Sequence, residues 1–359
     1  MGGRDRERLR YQPALDGLRC VAVGSVVLFH LGFNVVKGGN IGVDVFFVLS
    51  GYLITTLLIR ERRSTGGVAL GDFWRRRARR LLPSLLVVCA LVTVLFLVDR
   101  NATATTATIV GAGSAIVYLS AWVAAFDWWS MGWMGHTWSL SVEEFFYAAF
   151  PLALVVFSRR FGHRWIYVAT VGAIAFYLAA ANLLHWSGSH LYAGPDMRAE
   201  QLLIGCSLAV ALDRAALGAG PLIRNALAAI AGAFLVAWVL LVPWTSPTYL
   251  KGGETLVALA AAVLVWYLMT VPRGWLTTAL AAAPLVWVGR RSYTVYLVHY
   301  PLIGLLGGTG DGQGISVMAT GRRVLIAAAV VPVSLVYAGL SYRHLEGRFR
   351  VQRIAGAGA

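Results

Sequence analysis

Charge is scarce in this chain: 13% of its 359 residues are charged, whereas 58% are hydrophobic. Acids are scarcer than bases, 16 against 31, which leaves a formal net charge of +15. Long polar segments are also missing, and the longest, 60–80, is too short to fold alone. These shortages exclude an ordinary soluble domain, because apolar runs long enough to cross a bilayer recur along the chain. Short segments of alternating polarity are absent as well, which argues against a strand barrel. Runs such as "IAGAFLVAWVLLV" and "LVALAAAVLVWYLM" are instead apolar on every side. The fold class is therefore all-α, a polytopic membrane bundle.

Further absences narrow the chemistry. The three cysteines, Cys20, Cys89 and Cys206, fall inside apolar runs with neither a disulfide framework nor metal-ligand spacing, and read as core residues. The chain has no Gly-rich phosphate loop, no nucleophile elbow and no metal-ligand set, which weakens the case for a hydrolase or an ATP-driven pump; no metal is expected. No stretch interleaves basic and aromatic residues outside the membrane borders. The positive charge then reads as a topology signal and a lipid anchor, with no nucleic-acid partner. The basic start "MGGRDRERLRYQP" precedes an apolar run that keeps Arg19 and lacks a small-residue cleavage site, so it introduces an uncleaved first span.

What is present is a series of ten candidate spans: 15–34, 41–59, 81–98, 139–158, 165–184, 199–213, 225–243, 255–271, 284–306 and 323–343. An eleventh apolar stretch, 106–125, contains Gly111 and Gly113 and follows a threonine-rich run, and makes a poor lipid-facing helix. With ten spans and an inside N-terminus, 25 basic residues lie inside and six outside; an eleventh full span gives 17 against 14. The positive-inside rule favours ten, with 106–125 an outer-side or re-entrant helix. Residues 1–14 form a cytoplasmic basic N-terminus, 15–343 the membrane domain and 344–359 a cytoplasmic tail. The expected location is the inner (plasma) membrane.

Several spans keep polar groups, and these are the candidates for chemistry. Arg19 and His30 lie eleven residues apart in the first span, three turns plus about 20°, so they share one face and differ in depth by about 16 Å. Charge within a span normally faces a cavity or a partner. "FWRRRARRLLP" puts Arg77 and Arg80 three apart on one helix face, suited to holding a polyanion. Near the opposite side lie Asp44, His136, Glu143, Arg198 and Glu200, which together with His30 outline a polar cavity. A carboxylate beside His30, from Asp44 or Glu143, would orient the ring and raise its basicity, as a general base requires. His299 reads as a core histidine or cavity liner.

The chain resembles the membrane acyltransferase family 3, the O-antigen acetylase-like integral membrane O-acyltransferases, over essentially its whole length. The resemblance rests on "LDGLRCVAVGSVVLFH", "GVDVFFVLSGYLI", "FWRRRARRLLP", "HTWSLSVEEFFYAAFPL", "DMRAEQLLIG" and "SYTVYLVHYPL" in the family's order. It implies that Arg19 and His30 form the family's arginine–histidine motif and that Arg77 and Arg80 form its Arg-x-x-Arg motif. It also implies acyl-CoA, with acetyl-CoA the leading choice, as a donor at the cytoplasmic side, and a hydroxyl of a glycan, glycolipid or glycosylated metabolite as acceptor. Phe146 departs from the pattern, where relatives commonly carry glutamine. Many relatives append an extracytoplasmic esterase-like domain, whereas this chain stops soon after its last span.

On this reading Arg19, Arg77 and Arg80 hold the CoA phosphates, while His30, supported by Asp44 or Glu143, deprotonates the acceptor. His136, Arg198 and Glu200 are expected to line the acceptor side. The alternative class is a multi-span transporter using the same Arg/His/acid pathway; the lack of an internal repeat argues against it.

Overall fold

A computed structural model describes residues 11–98, 102–215, 217–306 and 320–346, and these contain helices and no strand. The basic N-terminus up to residue 10 and the tail from residue 347 lie outside the described residues. In chain order come α1 (Pro13–His30), α2 (Gly42–Thr65), α3 (Leu70–Val98), α4 (Ala102–Ile116), α5 (Ser120–Ala125), α6 (Trp138–Phe161), α7 (Arg164–Asn182) and α8 (Gly188–Ala193). They are followed by α9 (Pro195–Asp213), α10 (Pro221–Leu241), α11 (Glu254–Thr270), α12 (Trp275–Leu280), α13 (Ala283–Gly289), α14 (Ser292–Leu305) and α15 (Thr320–Ser341). Among the described residues, eight helices with their flanking turns are long and apolar enough to cross a membrane: α1, α2, α3, α6, α7, α10, α11 and α15. The chain is a multi-pass membrane protein.

Three segments depart from simple spans. The stretch 106–125 is divided between α4 and α5 at a turn where Tyr118 has a φ of +56°. Neither piece reaches the roughly 20 residues needed to cross. The segment 284–306 is broken at Arg290 and Arg291 into α13 and α14. The helix α9 is 19 residues long but carries Asp196, Arg198, Glu200 and Asp213, which keep it below the hydropathy of a lipid-facing span. Its charged residues Arg198 and Glu200 face protein and are buried.

Local sequence accounts for the helix ends. Pro13, Pro195 and Pro221 stand at the starts of α1, α9 and α10, where a missing N–H costs nothing and φ is already helical. Gly66 ends α2 with a φ of +79° and donates to the Arg62 carbonyl. In a bilayer, helices gain little from hiding apolar surface against one another, so close van der Waals packing must hold them. The α2–α9 pair meets this need at Gly51 and Gly205. A Cβ on Gly51 would lie 1.9 Å from the Leu202 carbonyl oxygen, and one on Gly205 would lie 2.1 Å from that of Val48. Two turns earlier on α2, Asp44 pairs with Arg198 of α9. The opposite face of the core joins Val23, Val26 and Val27 of α1 to Val295 and Leu297 of α14, so α14 supplies the neighbours of His30.

Candidate functional site

Two polar regions meet in the middle of the bundle. The first is a narrow cavity of about 60 Å³ lined by Arg19, Arg77, Arg80, Glu143, Tyr147, Ser139, Ser292 and Tyr296, among others. It brings together the three arginines singled out in the sequence. The helical register explains the selection: Arg77 and Arg80 are half-buried on the inward face of α3, whereas Arg75, Arg76 and Arg79 are exposed. Arg75 and Arg76 pair with Asp72 (3.2 Å) and Glu61 (3.5 Å). The Arg77 guanidinium lies 4.0 Å from the centre of the Tyr147 ring. Glu143 accepts hydrogen bonds from the Ser50 hydroxyl (2.7 Å) and the Tyr147 hydroxyl (3.1 Å), so its carboxylate belongs to the arginine-lined cavity.

The second region is a cluster of three histidines. His30, the last residue of α1, has its Nδ1 2.8 Å from Nε2 of His299, and the two rings stack with centroids 5.1 Å apart. His299 Nδ1 lies 2.6 Å from the Tyr296 carbonyl, which can only accept. Neutral rings then have one consistent arrangement. His299 donates from Nδ1 to that carbonyl and accepts at Nε2, so His30 donates from Nδ1 and keeps its lone pair at Nε2. His136, 5.5 Å from His299 between ring centroids, donates from Nε2 to the Leu297 carbonyl (3.2 Å). Its Nδ1 is buried without a partner.

Tyr296 joins the two regions. Its ring lines the cavity, its hydroxyl donates to the His136 carbonyl (2.8 Å) and lies 2.7 Å from the Ser139 hydroxyl, and its own carbonyl anchors His299. Arg323 fastens the other side of His30. It donates to the Gly32 carbonyl (2.6 Å) and lies 3.3 Å from Asn34 Oδ1, fixing the turn that ends α1.

The remaining sequence candidates sit elsewhere. Asp44 does not reach His30; it pairs with Arg198 (3.0 Å) and accepts from the Tyr249 hydroxyl (2.9 Å). Arg198 also pairs with Glu254 (2.8 Å) and donates to the Tyr192 carbonyl. Glu200 accepts from Thr255 (2.8 Å). Arg198 is 1% exposed, and Asp44, Glu200 and Glu254 are fully buried, so this group is a closed internal network without an open face for an acceptor. The expectation that Asp44 or Glu143 orients His30 is thereby corrected. Asp44 is drawn off by the α2–α9 contact and Glu143 by Ser50 and Tyr147, and His299 orients the ring instead. Phe146 stacks on Phe150 (4.7 Å) as a packing residue.

A model of the family described as "Acyltransferase domain" matches residues 12–339. The chain is 36% identical, over 96% of its own length, to a Bacillus subtilis protein named "Putative peptidoglycan O-acetyltransferase". It is 33% identical, over 95% of its length, to the peptidoglycan O-acetyltransferase of Listeria monocytogenes. The chain belongs to membrane acyltransferase family 3. It spans little more than half of those relatives, 55% and 56% of their lengths. No solved structure matches it.

The arrangement sets an arginine-lined cavity near a histidine whose Nε2 keeps its lone pair. Sequence reading picked out both ends of that arrangement and took His299 for a core histidine or cavity liner, which is where it lies, fully buried, but did not single out Tyr296 or Arg323. Only His299 carried a usable signal: a second histidine inside a span, near the same face of the bundle as His30. Among the described residues no group of histidine, cysteine and acidic side chains could hold a metal ion.

Proposed function

We propose that the protein transfers an acyl group, acetyl in the first instance, from acyl-CoA to a hydroxyl of a cell-envelope glycan. Peptidoglycan is the acceptor named for the relatives and the leading candidate here. The observation that carries the reading is the continuity of the arginine-lined cavity with the histidine chain through Tyr296. Small-molecule pockets usually enclose about 300 Å³ or more, and a cavity of this size cannot enclose a nucleotide. It suits an extended arm, with the CoA phosphates held at its mouth by Arg77, Arg80 and Arg19 and the thioester carried inwards. The mouth faces the cytoplasm on the charge distribution, and His30 lies towards the extracytoplasmic side.

In the reaction, the acceptor hydroxyl gives its proton to Nε2 of His30 as its oxygen attacks the thioester carbonyl. The carbon–sulfur bond breaks and the CoA thiolate leaves, taking up a proton from the protonated His30. His299 holds His30 in the required tautomer throughout. The serine and tyrosine hydroxyls of the cavity supply polar contacts along the arm. Membranes containing the protein should move label from radiolabelled acetyl-CoA into the glycan fraction. Label that enters the fraction equally well from membranes lacking the protein would refute the reading.

A further inference from the structure

Five consecutive exposed residues, 126–130, precede the segment Gly132–Thr137, which brings Trp133 and His136 to the histidine cluster. Their aromatic rings form a continuous stack. Trp122 and Phe126 have centroids 5.8 Å apart at 11°, and Phe126 and Trp128 lie 5.6 Å apart at 18°. Trp129 continues the row 5.8 Å from Trp128. Phe126, Trp128 and Trp129 are 49%, 54% and 46% exposed. Beside them His190 stands edge-on to Phe126 (5.0 Å) and donates from Nε2 to the Asp196 carboxylate (3.0 Å). That carboxylate, with both oxygens within 3.1 Å of His190 Nε2, is 32% exposed.

We infer that this turn, with the His190–Asp196 pair, is a docking platform for a neutral glycan chain. The proposal rests on the acyl-transfer reading for its purpose, but not for its chemistry. Exposed aromatic rings match the apolar C–H surface of a hexopyranose, and a carboxylate held in place by a histidine accepts its hydroxyls. An interfacial belt is the competing use of exposed tryptophans, yet it has no need of a carboxylate among its rings. Here Asp127 lies within the row, at a φ of +51°, and Asp196 lies at its side. The same two carboxylates disfavour a polyanionic glycan. Continuity supplies the last argument, because Trp133, immediately after the turn, packs 5.0 Å from Tyr300, whose ring is 4.7 Å from His30. A chain lying on the platform would thus lead to the base.

The test is binding of a soluble chito-oligosaccharide to the full chain in phosphatidylcholine nanodiscs, read by saturation-transfer NMR and titration, without any donor. Wild type should bind, and Trp128→Ala and Trp129→Ala should each weaken binding about tenfold. Trp128→Phe, which keeps a flat ring, should stay near wild type and guards against misfolding. Unchanged affinity in both alanine variants would overturn the platform, as would variants that bind normally but leave the nanodisc, which would make the turn a membrane anchor. Failure of wild type to bind, even with intact acyl transfer, would overturn it too. Platform-dependent binding without any transfer would sustain the platform and refute the proposed reaction.

Discussion

Replacing His299 probes the tautomer chain on which the base assignment depends. In the structure His299 is fully buried, accepts from His30 Nδ1 at 2.8 Å and donates to the Tyr296 carbonyl at 2.6 Å. His299→Phe fills much of the same space but removes both contacts. One neutral hydrogen bond is worth about 0.5–1.5 kcal/mol net, and two give about 1–3 kcal/mol, or roughly five- to 150-fold. The loss should fall on kcat, because the freed His30 ring can place its hydrogen on Nε2, where it cannot act as a base. KM for acetyl-CoA should hold, since His299 is absent from the arginine-lined cavity. His299→Gln offers an amide oxygen to His30 and an amide N–H to the carbonyl, and should recover part of the rate. Steady-state transfer in proteoliposomes across a pH series gives the readout, with the ascending limb of the profile displaced in the Phe variant. A Phe variant with unaltered kcat and pH profile would refute the reasoning, and equal losses in the Phe and Gln variants would reduce His299 to a packing residue.

Two other substitutions separate positioning from scaffold. Arg323→Ala removes the clamp on the Gly32 carbonyl and should lower kcat several-fold at unchanged donor KM, measured in the same assay. Arg198→Ala strips the cation from Asp44 and Glu254 inside the bundle. It should cost about 3–5 kcal/mol and lower the thermal transition in detergent by on the order of 10 °C.

The helical bundle, the membrane character and the selection of Arg19, Arg77 and Arg80 were legible in the sequence because each depends on local pattern: apolar run length, charge bias and the three-residue period. Spacing alone does not separate Arg77 and Arg80 from their neighbours, because Arg76 and Arg79 share it; the family motif named Arg77 and Arg80, and the fold turns these two inwards while Arg75, Arg76 and Arg79 stay exposed. What escaped the sequence depends on which helices touch. Asp44 was expected near His30 because both lie close to the short turn between α1 and α2. The packing of Gly51 on Gly205 commits the α2 carboxylate to Arg198 instead. His299 lies 269 residues from His30, and no periodicity connects them. The break of 284–306 at Arg290 and Arg291, by contrast, coincides with a local signal, the Gly-Arg-Arg-Ser run at 289–292 that interrupts the apolar pattern.

The central claim is a division of labour between the arginine-lined cavity and His30, and single-turnover transfer from labelled acetyl-CoA in proteoliposomes tests it most directly. His30→Ala should bind the donor as wild type does and transfer about 100-fold or more slowly. Arg77→Ala should do the reverse, weakening donor binding by about 10- to 100-fold while retaining transfer at saturation. Wild-type transfer by a well-folded His30→Ala protein, or donor binding indifferent to Arg77, would contradict the account.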